Sequence, residues 1–273
     1  MIRIIAIIFA LALLTSCEDV QDSSSALQAS LDFDFYDAIG TRAAENEDGS
    51  YLIQGITQNE ILTMKVPSLN EGSYNLGGNS ENYALFENSN DDTYFTNPDG
   101  AGVITITDWN RDEEIVSGYF RFKAILQGVD TLKVSEGLFY RIQVTRFVDS
   151  PEDASVDPTT NAGTFASAID GIPFNPFEVS ALEDGDYIFI SATTINREIQ
   201  IKLPLDIQAG TIVTLPEPGF IVRYTGGDGE EDAVSGNIIV FQHQPAIKRV
   251  KGTFSFQTEN RSVTLGQFNV FYQ

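Results

Sequence analysis

Hydrophobic and polar positions alternate with two different rhythms along this chain. Residues 4–14, behind Arg3, form an unbroken apolar run that is too short to cross a bilayer as a mature helix. Beyond it the rhythm is period two. Val250, Gly252, Phe254 and Phe256 fall on one face, and Lys251, Thr253, Ser255 and Gln257 on the other. Residues 116–123 repeat the pattern, with Phe120 and Phe122 inward and Ser117, Tyr119, Arg121 and Lys123 outward. Such alternation predicts strands with one face on a core and one in water. Gly118 and Gly252 sit on inward faces, which predicts a bulge or the close approach of another group. Turn pairs recur between the strands: Asp48-Gly49, Gly77-Gly78, Asp99-Gly100, Asp184-Gly185 and Gly226-Gly227. No mature segment has a convincing amphipathic helical period. The expected fold is all-β, built as antiparallel sandwich-like domains.

The strand patterns occur twice in the same order. Val116-Ser117-Gly118-Tyr119-Phe120-Arg121-Phe122 corresponds to Val250-Lys251-Gly252-Thr253-Phe254-Ser255-Phe256, and Gly102-Val103-Ile104 to Gly236-Asn237-Ile238 at the same offset. Lys65-Val66-Pro67 precedes the first set and Lys202-Leu203-Pro204 the second. Gly137-Leu138-Phe139 and Gly266-Gln267-Phe268 close them. This order predicts tandem copies of one domain, at residues 28–148 and 162–273. Residues 149–161, with Pro151, Pro158 and no aromatic residue, read as a linker between copies that fold separately. Residues 17–27 read as an acidic, serine-rich tether.

Charge narrows the function classes. The chain has 39 acidic and 16 basic side chains, a formal net charge of −23, and single copies of His, Cys and Trp. That balance argues against nucleic acid as a partner. A lone Cys and a lone His exclude an intrachain disulfide framework and Cys- or His-rich metal sites. Nucleophilic catalysis of the Ser-His-Asp type would have to use His243, which reads as an exposed turn residue with no G-x-S-x-G motif to serve. The acidic clusters Asp91-Asp92, Asp112-Glu113-Glu114 and Glu230-Glu231-Asp232 could supply a carboxylate pair, and the oxygen-rich runs Asn88-Ser89-Asn90-Asp91-Asp92 and Asp228-Gly229-Glu230-Glu231-Asp232 calcium ligands. They lack the spacing of an EF-hand loop and read as solvated loops. No catalytic residue, metal or cofactor is assigned. Lys248, Arg249 and Lys251 read as a solvated strand edge.

Leu14-Thr15-Ser16-Cys17 resembles a bacterial lipobox. The resemblance implies cleavage of residues 1–16, acylation of Cys17, and an outer-membrane lipoprotein held at the membrane by lipid alone, on the periplasmic face or the cell surface. The acidic residues after Cys17 resemble the surface-export signal of Bacteroidota lipoproteins. Phe165-Ala166-Ser167-Ala168-Ile169-Asp170-Gly171, followed by Gly252-Thr253-Phe254-Ser255-Phe256 and Gly266-Gln267-Phe268, resembles uncharacterised lipoprotein domains common in Bacteroidota. That resemblance lies mostly in residues 162–273 and implies architecture and location, with no activity. Trp109, expected just past a strand at residues 103–107, opens a polar tip with Asn110 and Arg111. The repeat offset places His243 at the equivalent position. The tip is the candidate ligand contact, suited to a sugar or a protein. The expected function is non-enzymatic binding of a glycan or an envelope protein. The alternatives are a structural envelope component without a ligand and, third, a carboxylate-dependent glycoside hydrolase.

Overall fold

The computed structural model describes residues 24–90, 92–145, 157 and 159–273. Cys17, the signal segment and most of the expected linker lie outside the described residues. No helix among the described residues is long and apolar enough to cross a membrane.

The fold is all-β. The first half holds β1 (Ala26–Leu31), β2 (Asp34–Asp37), β3 (Gly40–Glu45), β4 (Tyr51–Ile56), β5 (Ile61–Val66), β6 (Gly72–Leu76), β7 (Tyr83–Glu87), β8 (Thr93–Phe95), β9 (Ala101–Asn110), β10 (Ile115–Leu126) and β11 (Asp130–Thr145). The second holds β12 (Gly163–Ile169), β13 (Ile172–Phe174), β14 (Glu178–Asp184), β15 (Tyr187–Thr193), β16 (Glu198–Pro204), β17 (Ile212–Leu215), β18 (Ile221–Gly226), β19 (Gly229–Asp232), β20 (Ser235–Gln244), β21 (Arg249–Gln257) and β22 (Ser262–Phe271). Leu27, read from the sequence as tether, is fully buried in β1, so the folded part begins earlier than residue 28.

In the second half two antiparallel sheets face each other, ordered β13-β12-β22-β21-β20-β17 and β14-β15-β16-β18-β19. The first half has the same order strand for strand, β2-β1-β11-β10-β9-β6 and β3-β4-β5-β7-β8. Its two layers are joined at both seams. Val144 and Thr145 of β11 pair in parallel with Ala43 and Ala44 of β3, and Ile125 of β10 meets Phe95 of β8. The parallel seam departs from the purely antiparallel expectation, and together the seams close a seven-stranded ring.

Each half has its own apolar core. One gathers Leu27, Ile53, Met64, Phe120, Phe139 and their neighbours, and the other Phe165, Phe174, Ile190, Phe254, Phe268 and theirs. The inward glycines explain themselves here. Gly118 pairs with Phe139, and Gly252 with Phe268. A methyl at Gly118 would lie 2.4 Å from the Phe139 ring and 2.1 Å from the Thr105 carbonyl oxygen. At Gly252 the distances to Phe268 and Ile239 would be 2.6 and 2.4 Å. A ring sits over a backbone that carries no side chain, and a methyl there would collide with it.

Between the halves runs a polar seam that the linker composition does not predict. Arg42 Nη1 donates to the Phe177 carbonyl at 2.7 Å, and Gln54 Nε2 to the Asn175 carbonyl at 3.2 Å. Tyr83 and the Asn175 side chain are hydrogen-bonded, and Lys251 pairs with Glu47 at 2.7 Å. Arg197 forms an ion pair with Glu87, both side chains at most 7% exposed. Burial pushes the Arg42 and Arg197 guanidinium groups down to about 10, and the Tyr83 hydroxyl well above the usual tyrosine range.

Candidate functional site

The tip singled out in the sequence is built differently from its expectation. β9 continues through Asn110, so Trp109 is a strand residue, not a loop residue. Thr107 is an extra residue opposite Ser117 and Gly118, a bulge that shifts the alternation by one. Trp109 therefore turns inward, pairs with Val116, and packs half-buried against the first core. Asn110 folds back as an Asx cap, its Oδ1 accepting from the Asp112 and Glu113 amides at 3.1 and 3.2 Å. Arg111 Nη2 donates to Asn70 Oδ1 at 3.4 Å. The three side chains face different partners and do not converge on one cavity.

The equivalent ring in the second half is also built in. Phe241 bulges where Thr107 does, and His243 pairs with Val250. It is a half-buried strand residue, which corrects its reading as an exposed turn. Nδ1 lies 2.9 Å from the Ile207 carbonyl oxygen and Nε2 lies 2.8 Å from the Tyr272 hydroxyl. A carbonyl only accepts, so Nδ1–H donates to Ile207, and Nε2 and the Tyr272 hydroxyl share a second hydrogen bond. His243 holds the C-terminal strand in place.

Several charged groups outside β10 and β11 have defined structural partners. Arg249, read as a solvated edge, is buried and donates to Asn269 Oδ1 at 2.9 Å, while Lys248 pairs with Glu183 at 3.0 Å. The neighbouring strand β22 supplies the partner that sequence spacing cannot show. In the acidic hairpin of β18 and β19, Arg223 pairs with Glu230 and Asp232 at 2.9 and 2.7 Å, and Arg261 with Asp228 at 3.1 Å. The Thr258 hydroxyl, donating to Glu231, holds that carboxyl below the usual range. The hairpin is a cross-braced turn. Among the described residues no group of three or more metal-ligating side chains forms; Asp91 lies outside them.

The outward face of β10 and β11 is different. Two adjoining depressions, of about 590 and 530 Å³, lie on it. The first is lined by Tyr119, Leu138, Thr105 and Ser73, the second by Lys123, Lys133 and Thr131, and Arg121 borders both. Pleating puts Tyr119, Arg121 and Lys123 on one side of β10 while Phe120 and Phe122 point to the core. On the opposite, inward side, Gly137 pairs with Phe120 and Gly102 with Phe122, and a methyl at either glycine would meet that phenylalanine. Tyr119 is 58% exposed. Lys123 pairs directly with Lys133 across the strands, a like-charge contact that destabilises by a few tenths to about 1 kcal/mol. Among the described residues the side chains of Arg121, Lys123 and Lys133 make no ion pair or hydrogen bond. Glu136 is the one carboxylate lining either depression. Strand alternation alone predicts the outward direction of Tyr119, Arg121 and Lys123. It could not give the pairing with Lys133, which depends on hairpin register.

Residues 23–143 match a family model described as a domain of unknown function (DUF6252). The match covers the first half, whereas the resemblance visible by eye lies mostly in the second. The family is uncharacterised and brings no activity. No curated protein and no solved structure matches the chain.

Proposed function

We propose that this chain is a lipid-anchored envelope protein of Bacteroidota type that binds a glycan and catalyses no reaction. Cleavage before Cys17 would leave an acylated N-terminus, and acylation there accounts for a lone Cys at the end of an apolar run. More than one acyl chain is needed for stable anchoring, since each buried methylene contributes about 0.8 kcal/mol and one chain alone holds a protein only marginally. The second half is a copy of the first. The identical strand order and the matching glycine–phenylalanine pairs support the duplication.

The observation that carries the binding reading is the open face around Tyr119. An exposed ring sits beside polar side chains over a shallow depression, on a rigid sheet. A ring of this kind can cover one face of a sugar while neighbouring groups bond its hydroxyls. Such shallow contact gives weak affinity per site, so many copies on one membrane would act by avidity. The acidic hairpin, occupied by Arg223 and Arg261, weighs against a hydrolase. A purely structural component is the second reading, favoured by the packing of Trp109 into the core.

Two measurements test the proposal. The Cys17→Ala chain is expected to leave the membrane fraction or to remain unprocessed. Unchanged processing and detergent partitioning would remove the anchor. Affinity electrophoresis of the full chain against neutral and charged polysaccharides is expected to show retardation by at least one. If none retards it, the structural reading replaces the binding one.

A further inference from the structure

We infer that the glycan taken by the face of β10 and β11 is a polyanion, a polysaccharide bearing carboxylates along its length, held by Arg121, Lys123 and Lys133 with Tyr119 against a sugar ring. The inference rests on the glycan reading above and deepens it.

The second half supplies an internal control. Phe122 pairs with Val134, and Phe256 pairs with Val263, so the two hairpins share one register. At the positions of Tyr119, Arg121 and Lys123 the second half carries Thr253, Ser255 and Gln257, and opposite Gln257 stands Ser262 where the first half has Lys133. Gln257 Nε2 donates to Ser262 Oγ at 2.8 Å. The same ladder position thus holds a neutral, hydrogen-bonded pair in one half and two facing Lys residues in the other, where the hairpin runs on to Leu126 and Asp130. The fold does not require charge at these places, and a facing Lys pair opposes it.

The charge is also out of keeping with the rest of the molecule. With a formal net charge of −23, carboxylates are abundant, and elsewhere cations use them: Lys65 with Asp48, Arg141 with Glu113, Arg223 with Asp232. Three exposed cations without a carboxylate partner form a local positive field in an otherwise repulsive surround. A polyanion gains from that field only where it touches it, which selects this face over the remainder of the surface. Arg121 stands two residues from both Tyr119 and Lys123 on one face of a strand. That spacing is about 7 Å, so a bound chain meets a ring and then successive cations. The ring favours a sugar over an acidic peptide, because a pyranose offers a flat C–H face and a peptide carboxylate does not.

The test uses the full chain in detergent micelles, with polygalacturonate, neutral dextran and polyglutamate as probes in affinity electrophoresis. Wild type is expected to bind polygalacturonate more tightly than dextran, and to lose about tenfold or more in affinity when salt is raised from about 0.05 to about 0.5 M. The variant Arg121→Ser/Lys123→Gln/Lys133→Ser installs the residues that the second half carries in the same geometry, so it is expected to fold, with unchanged Trp109 emission. It is expected to lose at least about tenfold in polygalacturonate affinity. Tyr119→Thr is expected to weaken polygalacturonate binding and leave any polyglutamate binding unchanged. Polygalacturonate binding that survives the triple substitution overturns the site. Polyglutamate binding as tight as polygalacturonate binding overturns the carbohydrate assignment. Retardation by dextran alone overturns the charge inference and leaves the glycan reading standing, and retardation by none of the three overturns the inference and, once the wider panel is also blank, that reading.

Discussion

Substituting Arg197 by Met tests whether the polar seam couples the two halves. Arg197 lies between β15 and β16 of the second half, and its partner Glu87 ends β7 of the first. Met keeps most of the side-chain volume, including the contact with Phe174, and removes the charge. Glu87, 4% exposed, is then a buried carboxylate without its counter-ion. Breaking a buried pair in this way costs about 3–5 kcal/mol, because the remaining charge keeps its desolvation penalty and loses its compensation. At about 2–4 °C per kcal/mol for a chain of this size, the midpoint is expected to fall by roughly 6–20 °C. Urea unfolding at pH 7, followed by Trp109 fluorescence, is the informative assay. Trp109 is the only Trp and lies in the first half, so its signal moves only if the loss crosses the seam. The double substitution Arg197→Met/Glu87→Leu is expected to recover most of the loss, with a coupling energy above about 1 kcal/mol. A Trp109 transition unmoved by Arg197→Met would show that the halves unfold independently and that the pair carries no coupling.

Two further outcomes follow from the cores and the seam. Phe254→Ala removes a ring 3% exposed that packs at a tilt against Phe165, centroids 5.2 Å apart, and covers Gly266, and is expected to cost about 3–5 kcal/mol by chemical denaturation; a cost under about 1 kcal/mol would contradict the packing. Burial raises the Tyr83 and Tyr36 hydroxyls above the value of about 10 they have in an unfolded chain, so the native state holds those protons longer. Stability present below about pH 10 is then lost as pH rises further, and Tyr83→Phe is expected to flatten that alkaline slope in denaturant midpoints measured across the range. An identical slope in the variant would refute the assignment.

The seam and the open face come from one asymmetry. The halves share strand order, yet the first half presents the outward side of β3 to β5 and β7 to the second, through Arg42, Gln54, Lys65 and Tyr83. The second answers with Asn175, Phe177 and the outward side of β12 and β22. In the first half's matching sheet, the outward depressions on β10 and β11 are lined by first-half residues alone, Tyr119, Arg121, Lys123 and Lys133 among them. Docking of one half on the other covers an outer edge of this sheet in the second half and leaves the outward depressions of the first half open.

Local alternation determined the all-β fold and the inward direction of Phe120, Phe122, Phe254 and Phe256, because a pleated strand facing one core imposes period two on whatever sequence occupies it. The turn glycines and the strand order shared by the two halves were legible for the same local reason. What the sequence left open is what depends on register and on distant neighbours. A single extra residue at Thr107 reverses the side that Trp109 faces, and no propensity marks that bulge. Arg249 reads as a solvated cation until β22 brings Asn269 beside it, and Lys123 reads as an ordinary surface lysine until the hairpin sets it opposite Lys133. Glu87 and Arg197 stand 110 residues apart in a chain rich in acids, and only the docking of one half on the other selects that pair. Periodicity is a property of a segment and can be read from it; partnership is a property of two segments and exists only once the chain has closed.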